Sequence, residues 1–392
     1  MSIQETNKKQ FKRKLINLFG IERLLTLPSL GLEMIDRAIK SDPLKIYFRY
    51  KHINSDLHPF FERYYQPPSI KYCNRRDAKM YHWICYPDIL DNKPFILEPN
   101  DHPLSVIGVL KPIPIEPIDV IKNMNKGIDL VYDNPKCKKV LVESTGQWEL
   151  FERYCPHVLN KCEVVRLGSI PKEKKFINTP KETINFLCLA SDFKKKAVDI
   201  LLDAWFEFPH RAKHNLIIAC PFIPVDYQKR GLNENVKFIL KAPLSIKEKD
   251  ALYREANVTI GPLHIDGGAN LLESMEFGLP FITMRSQRSK DQVMNNNGFV
   301  ADVPFYFYDD GYGTEWPTWN SFFNLIEKAK RRGDFDITKI DFINAFNFFN
   351  DNPHKIEEMG INSYELGINE FSLEKRIKQL RQIYQDINDG IL

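Results

Sequence analysis

Cysteine is scarce in this chain and never closely paired. The 392 residues contain seven cysteines, Cys73, Cys85, Cys137, Cys155, Cys162, Cys188 and Cys220, with no C-x-x-C among them. An odd, dispersed set excludes a disulfide framework and a cysteine-rich zinc site, and reads as reduced, buried thiols of a cytosolic protein. Long apolar runs are missing too: nothing approaches the ~20 consecutive apolar residues of a membrane span. The basic start is not followed by an unbroken apolar core and a small-residue cleavage site, so no secretory signal is expected. Internal repeats and low-complexity tracts are absent. So is an excess of one charge. Lys and Arg number 55 against 51 Asp and Glu, a net +4 too mild to indicate nucleic acid.

What is present is an ordinary globular composition, 43% hydrophobic and 27% charged. The length suits two domains at roughly 150 residues each. Apolar runs at 184–190, 215–220, 236–240, 258–261 and 280–284 read as strands. Stretches at 197–208, 245–256 and 270–277 alternate with them and read as helices; Ser245 followed by Glu248 is a capping-box signature. The first half is less regular but similar, with strands at 44–50, 93–99, 138–144 and 162–168 and a helix at 146–154. Such alternation predicts an α/β fold of parallel sheets covered by helices. A polar, Pro- and Lys-rich stretch at 168–184 reads as a linker. Two α/β domains facing each other across a cleft are expected, with ligands at the carboxyl ends of strands beside helix N-termini.

The most informative stretch is "GPLHIDGGANLLESMEFGLPFIT", residues 261–283. Gly267 and Gly268 turn directly into a helix. Free N–H groups and about half a positive charge collect at such an N-terminus, and glycines let an anion approach. A phosphate is the natural occupant. Glu273, about one turn in, is placed to accept from a ribose diol, and Asp266 is placed to hold hydroxyls beyond the phosphate. Phosphate between ribose and polyol describes a nucleotide sugar. The plainer reading is a tight strand-to-helix turn with Glu273 in solvent. His264 neighbours the turn and is a candidate donor or acceptor contact.

The stretch resembles the donor-binding segment of family-4 glycosyltransferases of the GT-B fold. The resemblance runs through Leu271-Leu272-Glu273-Ser274-Met275 and Gly278-Leu279-Pro280, through "LASDFKKKAVDILLDAW" upstream and through "NGFVADVP" downstream. It is good over about residues 183–305; the first domain matches only in outline, through "ILEPNDHP" and "VLVESTGQWELF". It implies that Lys196 meets the donor diphosphate and that Gly267, Gly268, Ala269, Asn270 and Leu271 belong to the donor segment. His102, with Asp101 before it, falls where family members often place a histidine against the donor sugar. The family's first glutamate falls on Ile265, so Asp266 replaces it only if the loop is one residue shorter. The family's arginine falls on Ser191 or Asp192. Arg285 and Arg288, with Lys290, are candidates for the missing phosphate charge, against the plainer reading of a basic surface loop. "KKK" at 194–196 is likewise either a phosphate-facing pair, Lys195 and Lys196, or a solvated run.

The resemblance therefore implies two Rossmann-like domains: 1–175 for the acceptor, 180–365 for the nucleotide sugar, and 366–392 a helix crossing back onto the first domain. It implies transfer of a sugar, with retention, to a glycan or lipid-linked acceptor in surface polysaccharide synthesis, with no cofactor and no tightly bound metal. Two alternatives stay open: a catalytically inactive relative supporting an active partner, and a sugar-nucleotide epimerase. Lys8, Lys9, Lys12, Arg13 and Lys14 lie among Phe11, Leu15, Leu18, Phe19 and Leu25, which share one helical face. That helix either packs on the first domain or lies on an anionic membrane surface, on the inner face of the membrane. The loop at 308–320 carries acids, glycines and aromatics and reads as a turn cluster or a sugar-stacking loop. Base, sugar, acceptor and oligomeric state are not legible.

Overall fold

The computed structural model describes residues 46–50, 78–84, 92–99, 131–172, 182–241, 243–264, 269–305 and 319–392. The first sheet contains β1 (Ile46–Tyr50), β2 (Met80–Ile84), β3 (Phe95–Glu98), β4 (Cys137–Val142) and β5 (Cys162–Val164), in that spatial order. All its neighbours are parallel, so each connection must cross over and both faces are covered. Side chains alternate between faces along each strand. Tyr81, Trp83, Phe95, Leu97, Val140 and Val142 point one way, into a core closed by Phe151 of α1 (Thr145–Tyr154). Met80, Ile96 and Leu141 point the other way.

The second sheet holds β6 (Asn185–Leu189), β7 (Asn215–Ala219), β8 (Val236–Ile239), β9 (Val258–Gly261), β10 (Phe281–Met284) and β11 (Gly298–Ala301). Its order is β11-β10-β9-β6-β7-β8, again all parallel. The helices here are α2 (Val198–Glu207), α3 (Val225–Leu232), α4 (Ile246–Glu255), α5 (Ala269–Glu276), α6 (Ser289–Gln292), α7 (Trp319–Arg332), α8 (Asp336–Asp351) and α9 (Lys355–Asn369). Phe186, Ile218, Ile260 and Ile282 pack against Leu201 and Trp205 of α2 and Phe342, Phe346 and Phe349 of α8. Leu187, Ile217 and Ala219 pack on the opposite face against Leu252, Tyr253 and Phe277. The chain runs outward from β6 through β7 to β8, then returns to the far side of β6 as β9. That reversal is a topological switch point between β6 and β9.

The last helix, α10 (Leu373–Asn388), returns to the first sheet. Leu380, Ile383, Tyr384 and Ile387 recur at helical spacing and cover Met80, Ile96, Leu141 and Val165. Two polar side chains of the sheet lie under it, His82 and Glu98, both fully buried. Arg376 reaches Glu98 Oε1 at 2.5 Å and donates to the carbonyls of Val165 and Arg166 at 3.1 and 3.2 Å. His82 Nδ1 lies 2.6 Å from the Tyr384 hydroxyl, and its Nε2 lies 3.4 Å from Glu98. Burial alone would raise the Glu98 carboxyl; the electrostatic and hydrogen-bond contacts with Arg376 and His82 outweigh it and hold the group below its ordinary value. The two crossings between the halves are themselves joined. Ser169 N donates to Phe371 O at 2.6 Å and Leu373 N to Ser169 O at 3.0 Å. Gly168 is required there, because a Cβ would sit 2.6 Å from Leu373 Cα. The five described cysteines are free thiols, as their dispersal in the sequence predicts. Among the described residues no helix is long and apolar enough to cross a membrane.

Arg376→Met keeps the stem but strands a carboxylate in the core. Breaking a buried pair costs about 3–5 kcal/mol. The double variant Arg376→Met/Glu98→Gln should recover much of the loss. The sign with pH follows from the depressed carboxyl: its stabilisation is present above its unfolded value, near 4.5, and is lost as pH falls through the lower folded value. Denaturant titrations of the three proteins at neutral and acid pH check both, since the double variant should lack this acid-dependent loss.

Candidate functional site

The carboxyl ends of β6 and β9 are knitted into one surface. Asp192 Oδ1 accepts the N–H groups of Lys194 and Lys195 at 3.0 and 2.8 Å, folding the loop after β6 into a tight turn. Lys196 follows, and Ala197, fully buried, opens α2 at φ 46°, a left-handed conformation that an alanine adopts only under strain. The charge of Lys196 acts on the thiol of Cys188 near the end of β6. Across the switch point, His264 N donates to Lys195 O at 3.1 Å, and Asn270 Nδ2 donates to Leu189 O at 2.6 Å. The loops bearing Lys196 and His264 and the first turn of α5 thus form a single structure.

His264 is 7% exposed and meets Phe335 edge-on at 5.2 Å. Burial pushes its pKa down to about 3, so it is a neutral imidazole at physiological pH. Leu271 packs inward at 2% exposure. Ala269 and Asn270 are half-buried at the helix entrance. Glu273 is 3% exposed, which overturns the plainer expectation that it lies in solvent. Its Oε1 accepts from Lys249 Nζ and its Oε2 from Tyr253 OH, each at 2.7 Å. Each oxygen of the carboxylate thus holds one donor from α4. Asp101, His102, Ile265, Asp266, Gly267 and Gly268 lie outside the described residues, as do the N-terminal basic segment and residues 306–318.

The two arginines considered for the missing phosphate charge are committed elsewhere. Arg285 pairs with Asp302 at 3.1 Å and donates to Val303 O at 3.1 Å, on the β11 side. Arg288 is 8% exposed and forms an ion pair with Glu143, at the end of β4 in the first half. The basic-loop reading fails for Arg288 because that loop is docked. Asp291 Oδ2 accepts Thr145 N at 2.6 Å and Oδ1 accepts Thr145 Oγ1 at 2.5 Å, so a carboxylate from one half meets the first turn of α1 in the other. Arg166 approaches both Asp291, at 3.6 Å, and Glu370, at 3.4 Å. Gly146 lets the Gln287 carbonyl come against the α1 backbone. The void left among Glu143, Ser144, Arg288 and Asp291 is about 10 Å³, room for one water. Of Ser191 and Asp192, on one of which the family's arginine falls, Asp192 is the turn-forming aspartate.

Residues 169–305, about a third of the chain, match the family described as Glycosyl transferases group 1. A crystal structure of Anabaena HepE with UDP-glucose superposes over 94% of this chain and 98% of its own, at 13% identity and a TM-score of 0.53. A HepE structure with UDP superposes over 95% and 89%, at 13% identity and a TM-score of 0.52. The fold is GT-B. The pneumococcal O-GlcNAc transferase GtfA matches over 65% of this chain and 46% of its own, at 15% identity and a TM-score of 0.46. TarM matches over 78% and 54%, at 14% identity and a TM-score of 0.45. The chain thus spans about half the length of GtfA and of TarM. Among curated proteins none matches significantly. In GT-B terms, the group 1 segment reaches from the crossing at Ser169 to just past β11 and includes the whole switch point.

The contact between the halves carries a graded prediction. Arg288→Met strands Glu143, which is 4% exposed, and should cost about 3 kcal/mol. Lys290→Met removes a pair with Glu149 whose side chains are about half exposed, worth at most ~1 kcal/mol. Thermal unfolding of both variants checks the order; equal small shifts would mean that the Arg288 contact is not buried in solution.

Proposed function

We propose that the protein transfers a sugar from a nucleotide-sugar donor to a glycan or lipid-linked acceptor, with retention of configuration. The observation that carries this reading is the burial of Glu273 one turn into α5, the helix whose Asn270 ties the switch point to the end of β6, inside the segment that matches group 1 glycosyl transferases. The HepE complexes with UDP and UDP-glucose support a nucleotide-sugar donor. On this reading the donor lies across the carboxyl ends of β6 and β9, with Glu273 accepting from the ribose diol and the N-terminus of α5 facing the diphosphate. His264, being neutral, offers a hydrogen bond without repelling cationic neighbours. Negative charge grows on the diphosphate as the glycosidic bond breaks, and Lys196 with the helix N-terminus meets it. The acceptor hydroxyl then attacks from the same face, losing its proton to the departing phosphate. No enzyme nucleophile and no tightly bound metal enters this scheme. The first domain would present the acceptor, with its Asp101 and His102 and the second domain's Asp266 at the sugar, on the cytoplasmic face of the membrane in glycoconjugate synthesis.

A second reading is an inactive relative that supports an active partner. It is favoured by two observations: the family's arginine falls on Ser191 or the turn-forming Asp192, and Arg285 and Arg288 are both held by acids. Turnover of UDP-, GDP- or ADP-linked sugars separates the two. For an enzyme, Lys196→Ala should lower kcat on the order of a hundredfold to a thousandfold while nucleotide affinity changes little, because the interaction strengthens only as the bond breaks. Lys195→Ala, whose side chain is exposed and whose carbonyl holds His264, should do far less. Similar small losses from both substitutions would remove Lys196 from the chemistry.

The membrane proposal is tested separately. Each Lys or Arg near an anionic surface contributes about 1 kcal/mol, so deleting residues 1–14 should abolish binding to phosphatidylserine vesicles and spare transfer to a soluble acceptor. Unchanged vesicle binding would leave the packed-helix reading.

A further inference from the structure

Lys249 and Tyr253 have no place in the scheme above, yet both end on its central carboxylate. They lie one turn apart on α4, on the same face of the helix. The helix is fixed at its start by a complete capping box between Ser245 and Glu248, and Glu248 also accepts from Lys241 at 2.5 Å. It is fixed along its length by Asp250, which pairs with Lys172 of the crossing segment at 3.5 Å. The Tyr253 ring is 2% exposed and stacks on Phe277 at 5.1 Å with an interplanar angle of 11°, so its hydroxyl is held in one direction. The Lys249 side chain is 32% exposed, with its ammonium on Glu273.

An ionised carboxylate as buried as Glu273 needs a compensating charge and fixed hydrogen bonds. Lys249 supplies the charge and Tyr253 the direction. Each engages a different oxygen, which sets the plane of the carboxylate. A cis-diol is read best by a carboxylate whose two oxygens are both held at the right orientation, because each hydroxyl then donates to its own oxygen. A 2′-deoxyribose offers only one hydroxyl and gains less from that arrangement.

Resting on the nucleotide-sugar reading, we propose that Lys249 and Tyr253 are positioning residues that orient Glu273 toward a ribose cis-diol and thereby set the preference for ribonucleotides over 2′-deoxyribonucleotides. The full-length chain is titrated calorimetrically with UDP, GDP and ADP and with the 2′-deoxy form of whichever binds. The wild type should favour the ribonucleotide by about tenfold, as expected for one hydrogen bond to a charged group. Tyr253→Phe, which keeps the stacked ring, and Lys249→Met should each weaken the ribonucleotide about tenfold, the loss of that one hydrogen bond. Each should leave the 2′-deoxy form nearly unchanged, so that the preference collapses. Lys249→Arg should restore most of it. Equal weakening of both nucleotides would show that the two residues merely support the fold and would overturn the inference. So would an undiminished preference in both variants. A wild type that binds none of the three nucleotides overturns the nucleotide reading itself, a result distinguishable from the other two.

Discussion

The Arg376–Glu98 pair is the interaction on which the architecture turns. A charge on a helix near the end of the chain is buried against a charge on the third strand, 278 residues earlier. Neither tolerates burial alone. The pair therefore fixes where α10 lies, and α10 fixes the path by which the chain leaves the second sheet. Arg376 also donates to the carbonyls of Val165 and Arg166, immediately before the first crossing. One guanidinium thus anchors the outgoing and returning segments together, and the hydrogen bonds between Ser169, Phe371 and Leu373 continue the seam.

With the crossings paired, the two halves meet a second time through α6. Arg288 with Glu143, and Asp291 with Thr145, bring the loop after β10 onto the carboxyl end of β4 and the start of α1. The switch point of the second sheet lies on β10's other side, at β9 and β6. Function in this scheme does not depend on a reactive side chain. It depends on loops held at the carboxyl ends of two adjacent parallel strands, where helix N-termini and a lysine can face an anion.

Much of this was legible in the sequence. Five of the six strands of the second sheet were readable because short, largely apolar runs in a parallel sheet contrast with the amphipathic helices between them; β11, Gly298–Ala301, was not marked as a strand. The Ser245 capping box formed as its spacing predicts. β2 escaped notice because His82 breaks its apolar run; that histidine is buried only because Tyr384 and Glu98 meet it, a condition set 302 and 16 residues away. Arg288 is indistinguishable in sequence from its neighbours Arg285 and Lys290, and only the approach of Glu143 selects it for burial. Lys249 and Tyr253 could be placed on one helical face, but their shared partner sits on another helix, so their role was invisible. An arginine was looked for at Ser191 or Asp192, and the capacity of Asp192 to cap its own turn is a local property that the spacing alone already allowed.

The central claim is that a nucleotide sugar binds at the β6–β9 switch point. A crystal structure with a bound nucleoside diphosphate tests it most directly. The account predicts the ribose hydroxyls within hydrogen-bond distance of Glu273, the diphosphate against the N-terminus of α5 and the Lys196 ammonium beside it. A nucleotide bound elsewhere, with Glu273 contacting only Lys249 and Tyr253 as a purely structural group, would contradict it.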